Sequence, residues 1–384
     1  MRPEDIGFYS IAFVIVGLAR VVADLGIPSA LIQRDQIDSV DEASSFYGLL
    51  VFGVIFNLIV YSLAPVFLLF GGNERVVEML QVMSASITFC AISSTKIGIL
   101  NRELRFKLLA IRELIASVAA FGVGLYFLSA SSYMAMALYY VAGHFASALF
   151  IMFVGPKSIP VITEVRLGRI LELFMFGKNV CGTALVTFGS KNLDKLIVGT
   201  VLGPASLGLY SLCQNVILNP VQMVLGAVGA FSFPFFSRAD EDSRGQHFKK
   251  LNYLIAIPAF FVIGVMSARI MDVVVFFDNF EEFDVHGAIA GCLLLSAIGV
   301  LVSLCGPILK AAGEVAWLFK FAVIVGVSNV STVAFIANVF ELKEVFISLA
   351  VIQFGSFLFL IIKLKAVLKY RVKDSLATVA FCCL

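Results

Sequence analysis

Long apolar runs, cut by short polar clusters, make up almost the whole chain. A run of about 20 apolar residues crosses a bilayer as an α-helix. Hydropathy predicts about eleven such spans, over roughly 6–29, 44–70, 78–97, 108–129, 133–155, 172–202, 206–235, 251–277, 286–310, 317–338 and 342–364. A further run, 376–384, is too short to span. The polar clusters fall into two alternating sets. One is basic and holds Arg34, then Lys96, Arg102, Arg105, Lys107 and Arg112, then Lys157, Arg166, Arg169 and Lys178. It continues with Arg238, Arg244, Lys249 and Lys250, then Lys310 and Lys320, then the group from Lys363 to Lys373. The other set, with FGGNER, LSASSY, LGPAS, FDNFEEFDVH and ANVFEL, holds only Arg2, Arg75 and Lys343. Positive residues stay on the cytoplasmic side, so the basic set faces inward. The predicted fold class is all-α, a polytopic membrane protein.

The pattern repeats. Pro3–Ile11 reads PEDIGFYSI and Pro204–Leu212 reads PASLGLYSL, an offset of 201 residues. Both copies start at an outer end, and a basic residue, Arg34 or Arg238, follows each. This predicts two pseudo-repeated helix bundles running in the same direction, residues 1–170 and 171–384. In the second copy the helix 172–202 precedes the motif, and in the first no helix does. The expectation is two six-helix halves, of which the first lacks its first helix and the second is cut at its last. Tandem halves with a binding site at their interface are a common transporter plan.

Composition agrees: 60% of residues are hydrophobic and 14% charged, against about 25% charged in a soluble domain. The net charge of +2 gives no footprint for nucleic acid. Seven cysteines lie mostly in apolar runs, without a CxxC or Cys/His cluster, and read as small core residues. His144, His247 and His286 are too scattered in sequence to suggest a metal site. No cofactor or metal is expected. The opening Met-Arg-Pro-Glu-Asp lacks the pattern of a cleavable signal peptide.

Several stretches carry a family resemblance. They are Pro3–Asp5 with Gly7; Asp24-Leu-Gly-Ile-Pro-Ser-Ala-Leu-Ile-Gln-Arg34; Asn101-Arg-Glu-Leu-Arg-Phe106 with Ile111 and Glu113–Ser117. Further on come Ser190-Lys-Asn-Leu-Asp-Lys-Leu-Ile-Val-Gly199, Leu207–Ser211 and Leu309-Lys-Ala-Ala-Gly313. In order and spacing the chain resembles the Wzx-type polysaccharide and O-antigen flippases of the multidrug/oligosaccharidyl-lipid/polysaccharide (MOP) superfamily, weakening after about residue 320. The resemblance implies a carrier, not an enzyme. It would move an undecaprenyl-pyrophosphate-linked oligosaccharide across the bacterial cytoplasmic membrane for lipopolysaccharide, capsule or exopolysaccharide synthesis. Its partners would be that lipid-linked substrate, membrane lipids, and polymerase or export proteins. A multidrug or cation antiporter of the same superfamily, and a membrane-embedded polymerase or ligase, are the alternatives. The first would need an acidic cation site and the second a sizeable outer loop.

A pyrophosphate-linked sugar loses its hydration in hydrocarbon, so a carrier needs a polar cavity with cations for phosphate. Lys191 lies about 20 Å along its helix from Lys178, near mid-membrane. Lys195 is one turn further and Asp194 three residues on, which suggests a phosphate ladder or a buried Lys–Asp pair locking two helices. Arg20 and Asp24 form a second i,i+4 set, either cavity-lining or a structural clamp. Asn192, Gln214 and Asn215 are polar positions inside spans, suited to sugar hydroxyls or to interhelical bonds. Pro220 is expected to bend its helix.

Overall fold

A chain in hydrocarbon must satisfy each backbone N–H and C=O within its own segment, so apolar runs become helices. The computed structural model describes residues 2–34, 36–69, 72–129, 132–154, 164–225, 256–269, 284–303 and 305–368. Among the described residues the regular elements are helices. They are α1 (Pro3–Ala23), α2 (Ile27–Gln33), α3 (Ser39–Leu63), α4 (Val66–Leu69), α5 (Glu74–Arg102), α6 (Phe106–Leu128) and α7 (Ser132–Val154). Next come α8 (Leu167–Val201) and α9 (Gly203–Cys213), the latter followed by a π-turn, Gln214–Leu218. The last are α10 (Ala256–Arg269), α11 (Val285–Val302), α12 (Cys305–Ala311), α13 (Val315–Val339) and α14 (Leu342–Leu368). Eight spans among the described residues are long and apolar enough to cross a membrane, and bent α8 makes a ninth. The protein is an all-α, multi-pass membrane protein. The expected spans 206–235 and 251–277 run on into residues outside the described set. The 239–250 loop, most of the 277–286 loop, the 376–384 run and the last two cysteines also lie outside it.

The chain forms two compact units, Phe8–Leu196 and Arg2–Gly7 with Ile197–Leu384. The repeat reading assigns α8 to the second half, whereas by packing it belongs to the first unit up to Leu196. Glycine contacts and an ion cluster hold it there. Leu25 and Gly26 both take positive φ (51° and 68°) to turn the chain from α1 into α2, a conformation that favours glycine. A Cβ on Gly26 would collide with the Gly177 carbonyl, and one on Gly177 would sit 2.7 Å from the Gly26 carbonyl carbon. The backbones therefore meet directly, next to the 47° bend between Lys178 and Val180 in α8. From there α8 runs antiparallel to α1. Cys181 Sγ lies 3.6 Å from the Val21 carbonyl, Phe188 packs on Gly17, and Lys195 Nζ stands 5.6 Å from the Phe13 ring centroid.

At the basic end Asp41 is almost fully buried. Its carboxylate lies 2.9 Å from Arg34 and 3.6 Å from Arg169. Glu172 of α8 takes the other sides of the same arginines, at 3.4 and 2.9 Å. Asp38 caps α3 by accepting from Asp41 N–H. That bond, with Arg169 nearby, holds the Asp38 carboxyl below the usual range. Lys96, which the loop pattern places among the inner basic residues, is buried within α5 near Glu42.

In the second unit the repeated motif explains itself. A Cβ on Gly7 would strike the Pro204 carbonyl oxygen, and one on Gly208 would strike the Pro3 carbonyl oxygen. Each PxxxG turn thus accepts the other's proline carbonyl where only glycine leaves room. Tyr210 stacks on Phe346 at 4.9 Å, and Gly291 leaves the space that Phe346 fills. The π-turn ends just before Pro220. Its wider i→i+5 bonding, Asn219 N–H to the Gln214 carbonyl, accommodates a ring that clashes with normal helical bonding.

Candidate functional site

Three helices of the first unit bring polar groups together within the bundle. α1 contributes Arg20, and the turn that follows it contributes Asp24, four residues on. α5 contributes Cys90, Ser93 and Ser94. α7 contributes Tyr140, Gly143, His144 and Ser147, which share one face because they recur at i, i+3, i+4 and i+7. Arg20 Nη1 donates to Tyr140 Oη at 3.2 Å and to His144 Nε2 at 3.1 Å, with Cys90 Sγ at 3.9 Å. His144 Nδ1 lies 3.2 Å from Cys90 Sγ. Tyr9, from the repeat motif, packs edge-on to Tyr140 at 6.4 Å and steadies that wall.

Two cavities flank this cluster. One, of about 280 Å³, is lined by Arg20, Asp24, Ser29, Ser94 and Cys181 among others. The other, of about 330 Å³, is lined by Ser93, Arg112, Glu113, Tyr139, His144 and Ser147. Cys90 and Ser94 border both. An ionisable group deep in a span that faces such a space, rather than lipid, is the usual mark of a substrate path.

α8 adds a second feature. Thr183, Thr187, Ser190 and Lys191 are exposed, on successive turns of one stripe, and Asp194 beyond them is half-exposed. Lys195 differs from Lys191: it is half-buried, and its Nζ donates to Asn192 Oδ1 at 3.3 Å. Asp194 accepts from the Lys195 backbone N–H at 2.9 Å. Asn192 is buried and donates to the Phe188 carbonyl at 2.9 Å. The two lysines therefore do not share one environment.

Of the residues singled out from sequence, Lys191, Lys195, Asp194, Asn192, Arg20 and Asp24 lie in the first unit. Gln214 and Asn215 lie in the second, where Asn215 accepts from Asn219 at 2.9 Å. Arg20 is held by Tyr140 and His144 across the bundle rather than simply by Asp24. Cys90, Tyr140 and His144 were not anticipated as a group. Their signal was the polar stripe 140–144–147 on an apolar helix, facing the serines and cysteine of another.

The chain is 23% identical over 263 residues to the teichuronic acid biosynthesis protein TuaB of Bacillus subtilis (strain 168), covering 65% of this chain and 52% of that protein. It is 23% identical over 331 residues to the lipopolysaccharide biosynthesis protein WzxC of Escherichia coli (strain K12), covering 83% and 66%. It is 25% identical over 372 residues to the succinoglycan biosynthesis transport protein ExoT of Rhizobium meliloti (strain 1021), covering 92% and 72%. The chain thus spans between about half and about three quarters of the length of these relatives. The lipid II flippase MurJ in an inward closed conformation has the same fold, with a TM-score of 0.74 at 17% identity over 99% of this chain and 85% of that one. An inward-facing multidrug resistance MATE family transporter of the MOP superfamily also shares it, with a TM-score of 0.71 at 14% identity over 96% and 92%. Residues 1–282 match the family described as polysaccharide biosynthesis protein, and the chain belongs to that family.

Proposed function

We propose that the protein moves a polyprenyl-pyrophosphate-linked oligosaccharide from the inner to the outer leaflet of the bacterial cytoplasmic membrane, for lipopolysaccharide, capsule or exopolysaccharide assembly. The observation that carries this is cationic and polar surface in helices that cross the membrane. The Thr183–Lys191 stripe of α8 is exposed, and an uncovered polar stripe is costly against lipid. A water-filled path beside it would remove that cost. Arg20 borders an internal cavity in the same unit. Such surface suits an anionic, hydroxyl-rich headgroup that cannot cross hydrocarbon alone. The family membership, the names of WzxC and ExoT, and the fold shared with a lipid II flippase support the same reading.

Within it, Arg20, Lys191 and Lys195 attract the pyrophosphate. Asp24 and Asp194 oppose that charge and aid release. Asn192 meets sugar hydroxyls. Carriage alone requires no bond to be made or broken, so no residue is assigned a catalytic role and the protein is not an enzyme. The partners are the lipid-linked substrate, membrane lipids, and the polymerase and export proteins that take over the product.

The test is complementation of a strain lacking its own flippase. Wild type should restore surface polysaccharide, while Arg20→Ala and Lys191→Ala, present in the membrane at equal amounts, should not. Full rescue by both variants would remove the cationic path. Accumulation of the lipid-linked intermediate despite well-expressed wild type would remove the substrate assignment.

A further inference from the structure

We propose that His144 is a positioning residue for Arg20, and that a proton on its ring turns Arg20 onto Asp24, so that its charge is no longer offered to an anion in the first cavity. The inference rests on the anion-carrying role given to Arg20 above.

A guanidinium has donors only. Arg20 Nη1 carries two N–H bonds, and its nearest acceptors are His144 Nε2 at 3.1 Å and Tyr140 Oη at 3.2 Å. His144 Nε2 must then offer its lone pair. In the neutral ring that leaves the one proton on Nδ1, which faces Cys90 Sγ at 3.2 Å. The imidazole is held in a single tautomer, with Arg20 on one nitrogen and Cys90 on the other. A second proton would place an N–H on Nε2 directly against the N–H of Nη1. Donor would meet donor, and positive charge would meet positive charge at hydrogen-bond distance, so the contact would open.

The surrounding groups decide where the guanidinium goes. From α5 only the Cys90 thiol and the hydroxyls of Ser93 and Ser94 face the ring's cavity. From α7 come the Tyr139 and Tyr140 phenols, and from α6 Arg112 and Glu113, which are bonded to each other. Asp24 directly follows Arg20's helix, its N–H bonded to the Arg20 carbonyl at 3.1 Å, and it lines the first cavity with Arg20. Residues i and i+4 are neighbours, so a side-chain rotation brings guanidinium to carboxylate. With the ring neutral, Arg20 presents its charge to an anion. With the ring protonated, Arg20 and Asp24 neutralise each other and the anion loses its partner. Anion binding and His144 protonation therefore oppose one another, reciprocally.

His144→Gln separates this from a passive clamp, because an amide oxygen still accepts from Arg20 but cannot titrate. Flipping of a fluorescent polyprenyl-pyrophosphate-linked sugar in proteoliposomes, at equal pH on both sides, should fall about tenfold per pH unit below the His144 pKa in wild type. In His144→Gln it should vary by less than about twofold over the same range, with the neutral-pH rate retained. An acid fall in His144→Gln equal to that of wild type would overturn the proposal. A readout independent of transport is NMR of protein labelled with ¹⁵N-histidine. The signal lost in His144→Gln should show the Nδ1–H tautomer at alkaline pH, and its titration should move to higher pH in Arg20→Gln. An Nε2–H tautomer, or a titration unmoved by Arg20→Gln, would sink the idea. Failure of flipping in wild type with the NMR result intact would instead indict the substrate assignment alone.

Discussion

The two copies of the repeat keep the same packing residues and differ in chemistry. Pro3, Gly7 and Tyr9 recur 201 positions on as Pro204, Gly208 and Tyr210. The prolines and glycines meet reciprocally, and each tyrosine packs on an aromatic partner of its own unit, Tyr140 or Phe346. At the same offset Arg20 becomes Val221 and Asp24 becomes Leu225. Val221 and Leu225 are buried in an apolar cluster with Ala259, Ile308 and Leu360. Trp317, Phe321 and Phe359 stack beside them at 5.2–5.8 Å. One helix position thus carries a cavity cation in the first unit and core filler in the second. A duplicated bundle needs its crossing residues twice, whereas at this position it places a charge only once.

Exchanging the two chemistries should give the largest effect. Val221→Arg with Leu225→Asp puts a charge pair among the apolar side chains that surround these positions. Buried charges cost several kcal/mol each, a large share of the about 5–15 kcal/mol that holds a domain folded. Expression should give no monodisperse peak in size-exclusion chromatography. The reverse exchange, Arg20→Val with Asp24→Leu, leaves Tyr140 and His144 short of a partner at about 1–3 kcal/mol. It should remain folded and fail to restore surface polysaccharide. Equal folding yields for the two exchanges would break the contrast between the units.

The crossing residues should behave alike in both copies. Gly7→Ala and Gly208→Ala each set a methyl group on a carbonyl oxygen, an overpacking that costs about 1–3 kcal/mol. Their Tm values in detergent should fall by similar amounts, and a fall in only one would end the equivalence. Asp41→Asn removes a buried partner of Arg34 and Arg169. A loss of about 1–3 kcal/mol is expected, read as easier release of α8 in limited proteolysis. Phe346→Leu should cost about 0.5–1.5 kcal/mol beyond its lost area, through the stack on Tyr210.

The smallest effect is at the outer end of the second unit. The Gly287 N–H, and then Lys343 at 3.1 Å, hold the Asp284 carboxyl below the usual carboxylate range. Its stabilising contribution is complete above the unfolded value of about 4 and is lost as pH falls through the lower folded value. Asp284→Asn should therefore lower Tm slightly at neutral pH and match wild type once the medium is acid enough to protonate the native carboxylate. A difference that grew on acidification would reverse the sign.

Much of the plan was legible before any coordinates. Span length, the alternation of loop charge and the PxxxG–Tyr repeat are properties of short stretches, because hydrocarbon forces each run into its own helix. Those stretches were enough for an all-α membrane protein with a doubled motif, and for Arg20, Asp24 and Lys191 as charges out of place in apolar runs. The rest depended on which helices touch. Arg20 and His144 are 124 residues apart, and no periodicity within either helix says that one nitrogen meets the other. Likewise the allegiance of α8 turned on Gly26 meeting Gly177, and the separate settings of Lys191 and Lys195 on Asn192 and Phe13. Packing energy depends on shape at contact, and shape at contact exists only once the helices are assembled.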